Sequence, residues 1–116
     1  MRELDRHAVD AAVAGGSVLA AGGGGWVNHG YLVGRTAVSY GAPRLATLDE
    51  IADDTPIATV SAIGAPAARD WEMRPGDYVR ALRLLMDALG EPTTDRPGTQ
   101  GPPVVGTITA QNGSST

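Results

Sequence analysis

"SVLAAGGGGWVNHGY", residues 17–31, is the stretch on which the fold turns. Gly22, Gly23, Gly24 and Gly25 stand between a short apolar run and an aromatic, an amide and an imidazole. If residues 17–21 are a short buried strand, the glycines lead from a strand into a helix that begins near Asn28. If they are the frayed end of a helix, the glycines join two helices. Five residues are too few for hydrophobic periodicity to separate the two. In the first arrangement the free N–H groups of a helix start, approached through residues without side chains, offer a cradle for an anionic or carbonyl oxygen. The competing explanation is a tight turn or a close backbone contact, which needs glycine for the same steric reason.

Upstream, Leu4, Ala8, Ala11, Ala12 and Gly15 share one face at helical spacing while Arg2, Asp5, Arg6 and Asp10 lie elsewhere, which predicts a helix over residues 3–14. Downstream, Val27, Tyr31, Gly34 and Val38 form a second stripe. With Asn28 as N-cap and Gly41 as terminator, it predicts a helix over 28–40. An extended piece and an acid-rich turn follow, with a helical turn at 48–53. "PIATVSAIG", residues 56–64, is the clearest strand, and its apolar residues on both parities predict burial on both faces. Val79, Leu82, Leu85, Met86 and Leu89 mark a helix over 77–89, closed by Gly90 and Pro92. Residues 91–103 are rich in proline, glycine and threonine and read as an internal linker or a long exposed loop. "VVGTITA", 104–110, supplies another strand, and the turn-forming "QNGSST" follows it. Alternating strands and helices predict an α/β domain with a mainly parallel sheet flanked by helices. Helix-start residues with no helix after them suggest an incomplete domain, residues 1–116 being part of a longer polypeptide.

The 116 residues leave room for one small domain. Although 42% of the residues are hydrophobic, alanine supplies much of that fraction and phenylalanine is absent, so the predicted core is thin. Nine basic residues against 13 acidic ones give a net charge of −4, without the basic footprint that nucleic-acid binding needs. All nine basic residues are arginine, which excludes a phosphate-binding or Schiff-base lysine from this stretch. The absence of cysteine excludes disulfides, thiolate metal sites and cysteine nucleophiles here. No stretch reaches the roughly 20 apolar residues of a membrane span, and no signal-like segment is evident, so a soluble cytoplasmic chain is expected.

Several side chains invite chemistry. His29 follows the glycines, where it is a candidate base or metal ligand against the commoner role of a surface or capping residue. Asp53 and Asp54 are candidate cation ligands against the plainer reading of a solvated turn. Glu72 comes shortly after the turn that ends the strongest strand. That place makes it a candidate acid or base, with a surface ion pair to Arg69 or Arg74 as the equal alternative. Asn112 and Ser114 follow the last strand and are suited to hydrogen-bonding an imide-like ring or to capping a helix.

Taken in order, "VLAAGGGGWVNHGYLVGRTAV", "LDEIADDTPIATVSAIGAPAARDWEM" and "PGDYVRALRLLMDALG" resemble the amino-terminal part of the S-methyl-thiohydantoin desulfurase family, which is related by name to hydantoinases and oxoprolinases. The resemblance spans most of residues 4–90. It departs at Met73, where a lysine is common, and in a longer loop at 91–103. It implies a partial amino-terminal α/β domain, inactive alone, from an enzyme that adds water to a hydantoin- or thiohydantoin-like cyclic amide. The implied donors are the glycine run, Asn28, Asn112 and Ser114, with Glu72 as catalytic acid or base. Any divalent metal would be held by the rest of the longer protein, because this stretch shows no ligand set. A sheet cut short leaves an open edge, so self-association into a homo-oligomer is expected. The rival reading is a non-catalytic binding or assembly module whose glycines serve packing. Convergence of residues 22–25, Glu72 and Asn112 on one crevice separates the two.

Overall fold

The computed structural model describes residues 1–20, 25–61, 73–89 and 106–109. Their order is β1 (Arg2–Glu3), α1 (Arg6–Leu19), α2 (Val27–Tyr40), β2 (Arg44–Leu45), a 3-10 turn (Leu48–Glu50), β3 (Ile57–Val60), α3 (Pro75–Leu89) and β4 (Gly106–Thr109).

Helix α1 starts on Asp5, whose carboxylate accepts the Ala8 N–H at 2.7 Å and so satisfies one of the orphan donors of the first turn. The helix does not stop at residue 14 but continues through Gly15 and Gly16 to Leu19, with Ala20 as C-cap. The strand alternative for residues 17–21 is thereby overturned for the part described: residues 17–19 are the last turn of α1. Val18 and Leu19 are 79% and 83% exposed, whereas a buried strand would have covered them. Each glycine inside a helix costs about 1 kcal/mol relative to alanine, and packing of α1 on α2 offsets that cost. The buried face of α1 is also rotated from the expected one: Val13 is buried, Val9 and Gly16 are half-buried, and Ala11, Ala12 and Gly15 are exposed.

Helix α2 lies against α1. Gly34 faces α1 closely: a Cβ placed there would lie 2.6 Å from Cγ1 of Val9. Beside that contact the Arg35 Nε donates to Asp10 Oδ1 at 2.7 Å, and the guanidinium sits 4.5 Å over the Tyr31 ring. The hydrogen bond from Arg35 holds the Asp10 carboxyl below the ordinary aspartate range. The folded state therefore binds the Asp10 proton less tightly than the unfolded chain, and the pair adds stability above the unfolded value that is lost as pH falls through the depressed one. Both side chains are partly exposed, so the contribution is screened by salt. Asp10→Asn is expected to reduce the loss of stability between neutral pH and about pH 3, measured as urea midpoints at low ionic strength. An unchanged acid limb would show that Asp10 adds nothing.

Gly41 caps the end of α2, and the chain then returns past its own beginning. β1 pairs antiparallel with β2, Arg2 opposite Leu45 and Glu3 opposite Arg44, and the Leu4 N–H extends the ladder to the Pro43 carbonyl. The amino-terminal ammonium pairs with the Glu50 carboxylate, which also accepts the Thr47 N–H at 2.9 Å. β3 pairs in parallel with β4, from Ile57 opposite Gly106 to Val60 opposite Thr109, with α3 between them in sequence. The described residues thus combine helices with two separate two-stranded sheets, one antiparallel and one parallel. They do not form the mainly parallel sheet expected from the strand and helix alternation. The expected burial of β3 on both faces is not found either: Ala58 is buried but Ile57 is exposed. Residues 62–64 of the predicted strand lie outside the described residues, as does the segment 91–103 read as a linker or loop.

The part of the core formed by the described residues is thin, in line with the alanine-rich composition. Among the described residues its buried apolar side chains are Val13, Ala58 and Met86, and none is below 2% exposure.

Candidate functional site

The start of α2 is built by the residues that follow the glycine run. Gly25 adopts φ 86°, a left-handed conformation that costs an ordinary L-residue roughly 1–2 kcal/mol. Trp26 is then extended and is the N-cap, without a side-chain capping bond. Asn28, expected as the cap, is instead the second residue inside the helix, so its amide side chain does not close the first turn. The Gly30 N–H is the donor that reaches back to the Trp26 carbonyl, at 3.0 Å. The N–H groups of the first helical turn have no partner within a helix, and those of Val27 and Asn28 stand here. In sequence the glycines join α1 to α2, so a strand-to-helix phosphate-type turn is not the setting.

Asn28 is exposed and lies on a shallow groove along α2 with Tyr31, Leu32, Arg35, Thr36 and Ser39. His29 is buried, 8% exposed, and is not the surface or capping residue that base rates favour. Its Nε2 lies 2.9 Å from the hydroxyl of Tyr78 on α3, with the two rings 5.9 Å apart and tilted by 35°. Burial raises the Tyr78 hydroxyl above the ordinary tyrosine range, so it stays protonated at neutral pH. This polar contact spans 49 positions of chain; the place of His29 after the glycines marked it, but nothing in the sequence signalled its partner.

Helix α3 starts two residues earlier than its apolar stripe suggests. Pro75 occupies the first turn, where its missing N–H costs nothing. Asp77 reaches back to accept the Arg74 N–H at 2.8 Å. Asp53 and Asp54 are exposed in a turn closed by the Thr55 N–H on the Ala52 carbonyl, the solvated setting. Among the described residues no three His, Asp or Glu side chains gather as metal ligands would.

A second groove, about 680 Å³, lies where the two small sheets approach α3, with Leu45, Glu50, Ile57, Leu82 and Thr107 among its walls. Sequence reasoning missed it, because its walls come from elements far apart in the chain. Of the sequence candidates, Gly25 and Asn28 are described and stand together at the start of α2. Gly22, Gly23, Gly24, Glu72, Asn112 and Ser114 lie outside the described residues.

A family model described as S-Me-THD-like, N-terminal domain, matches residues 7–97. The chain belongs to that family, in agreement with the resemblance of its glycine run and acidic segment. Comparison with curated proteins and with solved structures gave no match.

Proposed function

We propose that this chain is the amino-terminal part of a hydrolase or desulfurase acting on a hydantoin- or thiohydantoin-like cyclic amide. Membership of the S-Me-THD-like family over residues 7–97 is the observation that carries the reading. The chemistry asks for hydrogen-bond donors around oxygen or sulfur that gains negative charge as water attacks a ring carbon flanked by nitrogens. In the S-methyl case the carbon–sulfur bond breaks and methanethiol leaves; in a plain hydantoin a ring carbon–nitrogen bond opens. The uncapped start of α2 supports a donor role for the Val27 and Asn28 amides, reached past Gly25 and, in this proposal, the preceding Gly22, Gly23 and Gly24. Glu72 is assigned proton transfer, and Asn112 and Ser114 further hydrogen bonds to the ring. Any divalent metal is assigned to other parts of the longer polypeptide. The two-stranded β3 and β4 pair is proposed to be part of a larger parallel sheet there, because parallel strands are stable chiefly when both faces are covered. Self-association of the isolated chain and a cytoplasmic setting belong to the same proposal.

The test is an assay of the longer polypeptide that carries this domain, supplied with S-methyl-thiohydantoin and, separately, hydantoin. Release of thiol or ring opening above the uncatalysed rate is expected. Absence of both, with the protein folded, would sink the reading. In the present chain, titration with S-methyl-thiohydantoin is expected to shift the amide resonances of Val27 and Asn28 before those of α1.

A further inference from the structure

We propose that His29 and Tyr78 are positioning residues, whose side-chain hydrogen bond registers the first turn of α2 against the first turn of α3. His29 is the third residue of α2 and Tyr78 the fourth of α3. Their 2.9 Å bond therefore ties two helix beginnings together rather than two helix middles. Apolar contact is non-directional and sets proximity; a hydrogen bond weakens steeply with angle and so sets register.

Among the described residues, few other side chains of α3 turn inward. Its inward strip is Tyr78, Leu82 and Met86, while Val79, Leu85 and Leu89 are exposed. Met86 anchors the far half of the helix, eight positions from Tyr78. Nearer the start, Leu82 and the His29 bond of Tyr78 face inward, and of the two only the bond is directional. Burial gives the contact weight, because His29 is 8% exposed and a buried polar group that loses a hydrogen bond has already given up its water. The hydroxyl stays protonated, so the bond persists in either imidazole tautomer: the hydroxyl donates to Nε2, or Nε2–H donates to the hydroxyl oxygen.

Gly25 precedes His29 by four positions, and Arg74 precedes Tyr78 by four. The bond thus holds the left-handed turn that opens α2 near the capped turn that opens α3. The consequence for chemistry rests on the function proposed above: if the α2 amides hold a ring, this pair fixes where they point. Neither residue is assigned contact with substrate.

The experiment uses the full chain and the variants Tyr78→Phe, His29→Leu and His29→Gln. In the wild type the ¹⁵N shift of His29 Nε2 is expected to report a hydrogen bond that Tyr78→Phe abolishes. Amide exchange at Gly30 and Tyr31 is expected to rise about tenfold in Tyr78→Phe and in His29→Leu, the scale of one lost hydrogen bond, with exchange at Val13 unchanged. His29→Gln keeps a polar partner for the hydroxyl and is expected to restore most of the protection. A uniform rise across all three helices, or no rise at Gly30, would overturn the proposal, as would failure of glutamine to do better than leucine. Lack of ligand shifts at Val27 in the wild type would count against the proposed function alone, since the exchange result does not depend on ligand.

Discussion

Gly34→Leu is expected to cost about 3 kcal/mol, the upper part of the range for inserting carbon atoms into a packed seam. Val9 Cγ1 already occupies the space 2.6 Å from where the first added atom would go, and carbon atoms rest about 3.5–4.0 Å apart. Val9 cannot swing clear at low cost, because a β-branched side chain in a helix has one strongly preferred rotamer. A leucine at 34 therefore forces α1 and α2 apart and exposes Val13, one of the few buried apolar side chains. Gly34→Ala is a finer test: its single added carbon meets the same 2.6 Å contact, so despite about 1 kcal/mol of helix propensity gained it is expected to destabilise, though by less than leucine. The double change Val9→Ala with Gly34→Ala removes the obstructing methyls. It is expected to be more stable than the sum of the single changes, by the 0.5–3 kcal/mol or so that contacting residues show. Urea unfolding followed by helical circular dichroism measures all four. A Gly34→Leu chain as stable as the wild type would mean that α1 and α2 do not meet at this distance.

Met86→Ala is expected to cost about 2–3 kcal/mol, the lower part of the range for emptying a buried methionine site, because a thin core can relax around the cavity. Leu85→Ala, one position away, is expected to cost less than about 1 kcal/mol, since that side chain is already 42% exposed and has less apolar surface to lose. The contrast assigns the inward face of α3. In a domain near 100 residues each kcal/mol moves the melting temperature by about 4–8 °C, so the two variants separate clearly in a thermal scan. Equal destabilisation would place the inward face elsewhere on the helix.

The apolar stripe and the Gly90 and Pro92 stop were enough to locate α3 from its residues. Which part of the stripe is buried was not legible. Val79, Leu85 and Leu89 satisfy the same periodicity as Leu82 and Met86, and only the latter two point toward neighbours. Helix α1 shows a related effect: Ala11, Ala12 and Gly15 resemble an apolar face in composition, yet small residues carry little burial energy. The face with Val9 and Val13 wins instead. β1 left no mark at all, because Arg2 and Glu3 have no strand pattern and become one only through β2, some forty positions later. The candidate site divides the same way. The glycine run and His29 stood out locally, whereas Tyr78 became relevant only through its contact with His29.

The residues by themselves determined the family, the existence of three helices, and the bounds of α2 to within one residue. Gly41 acts on a backbone group four positions before it, its N–H reaching the Ala37 carbonyl, and such short-range chemistry is written in the order of the chain. Tertiary structure decided that residues 17–19 complete a helix, which faces of α1 and α3 are covered, that the amino terminus pairs with β2, and that His29 is buried against Tyr78. Each of these depends on segments distant in sequence meeting across space, where the gain from contact must exceed the entropy of closing the loop between them.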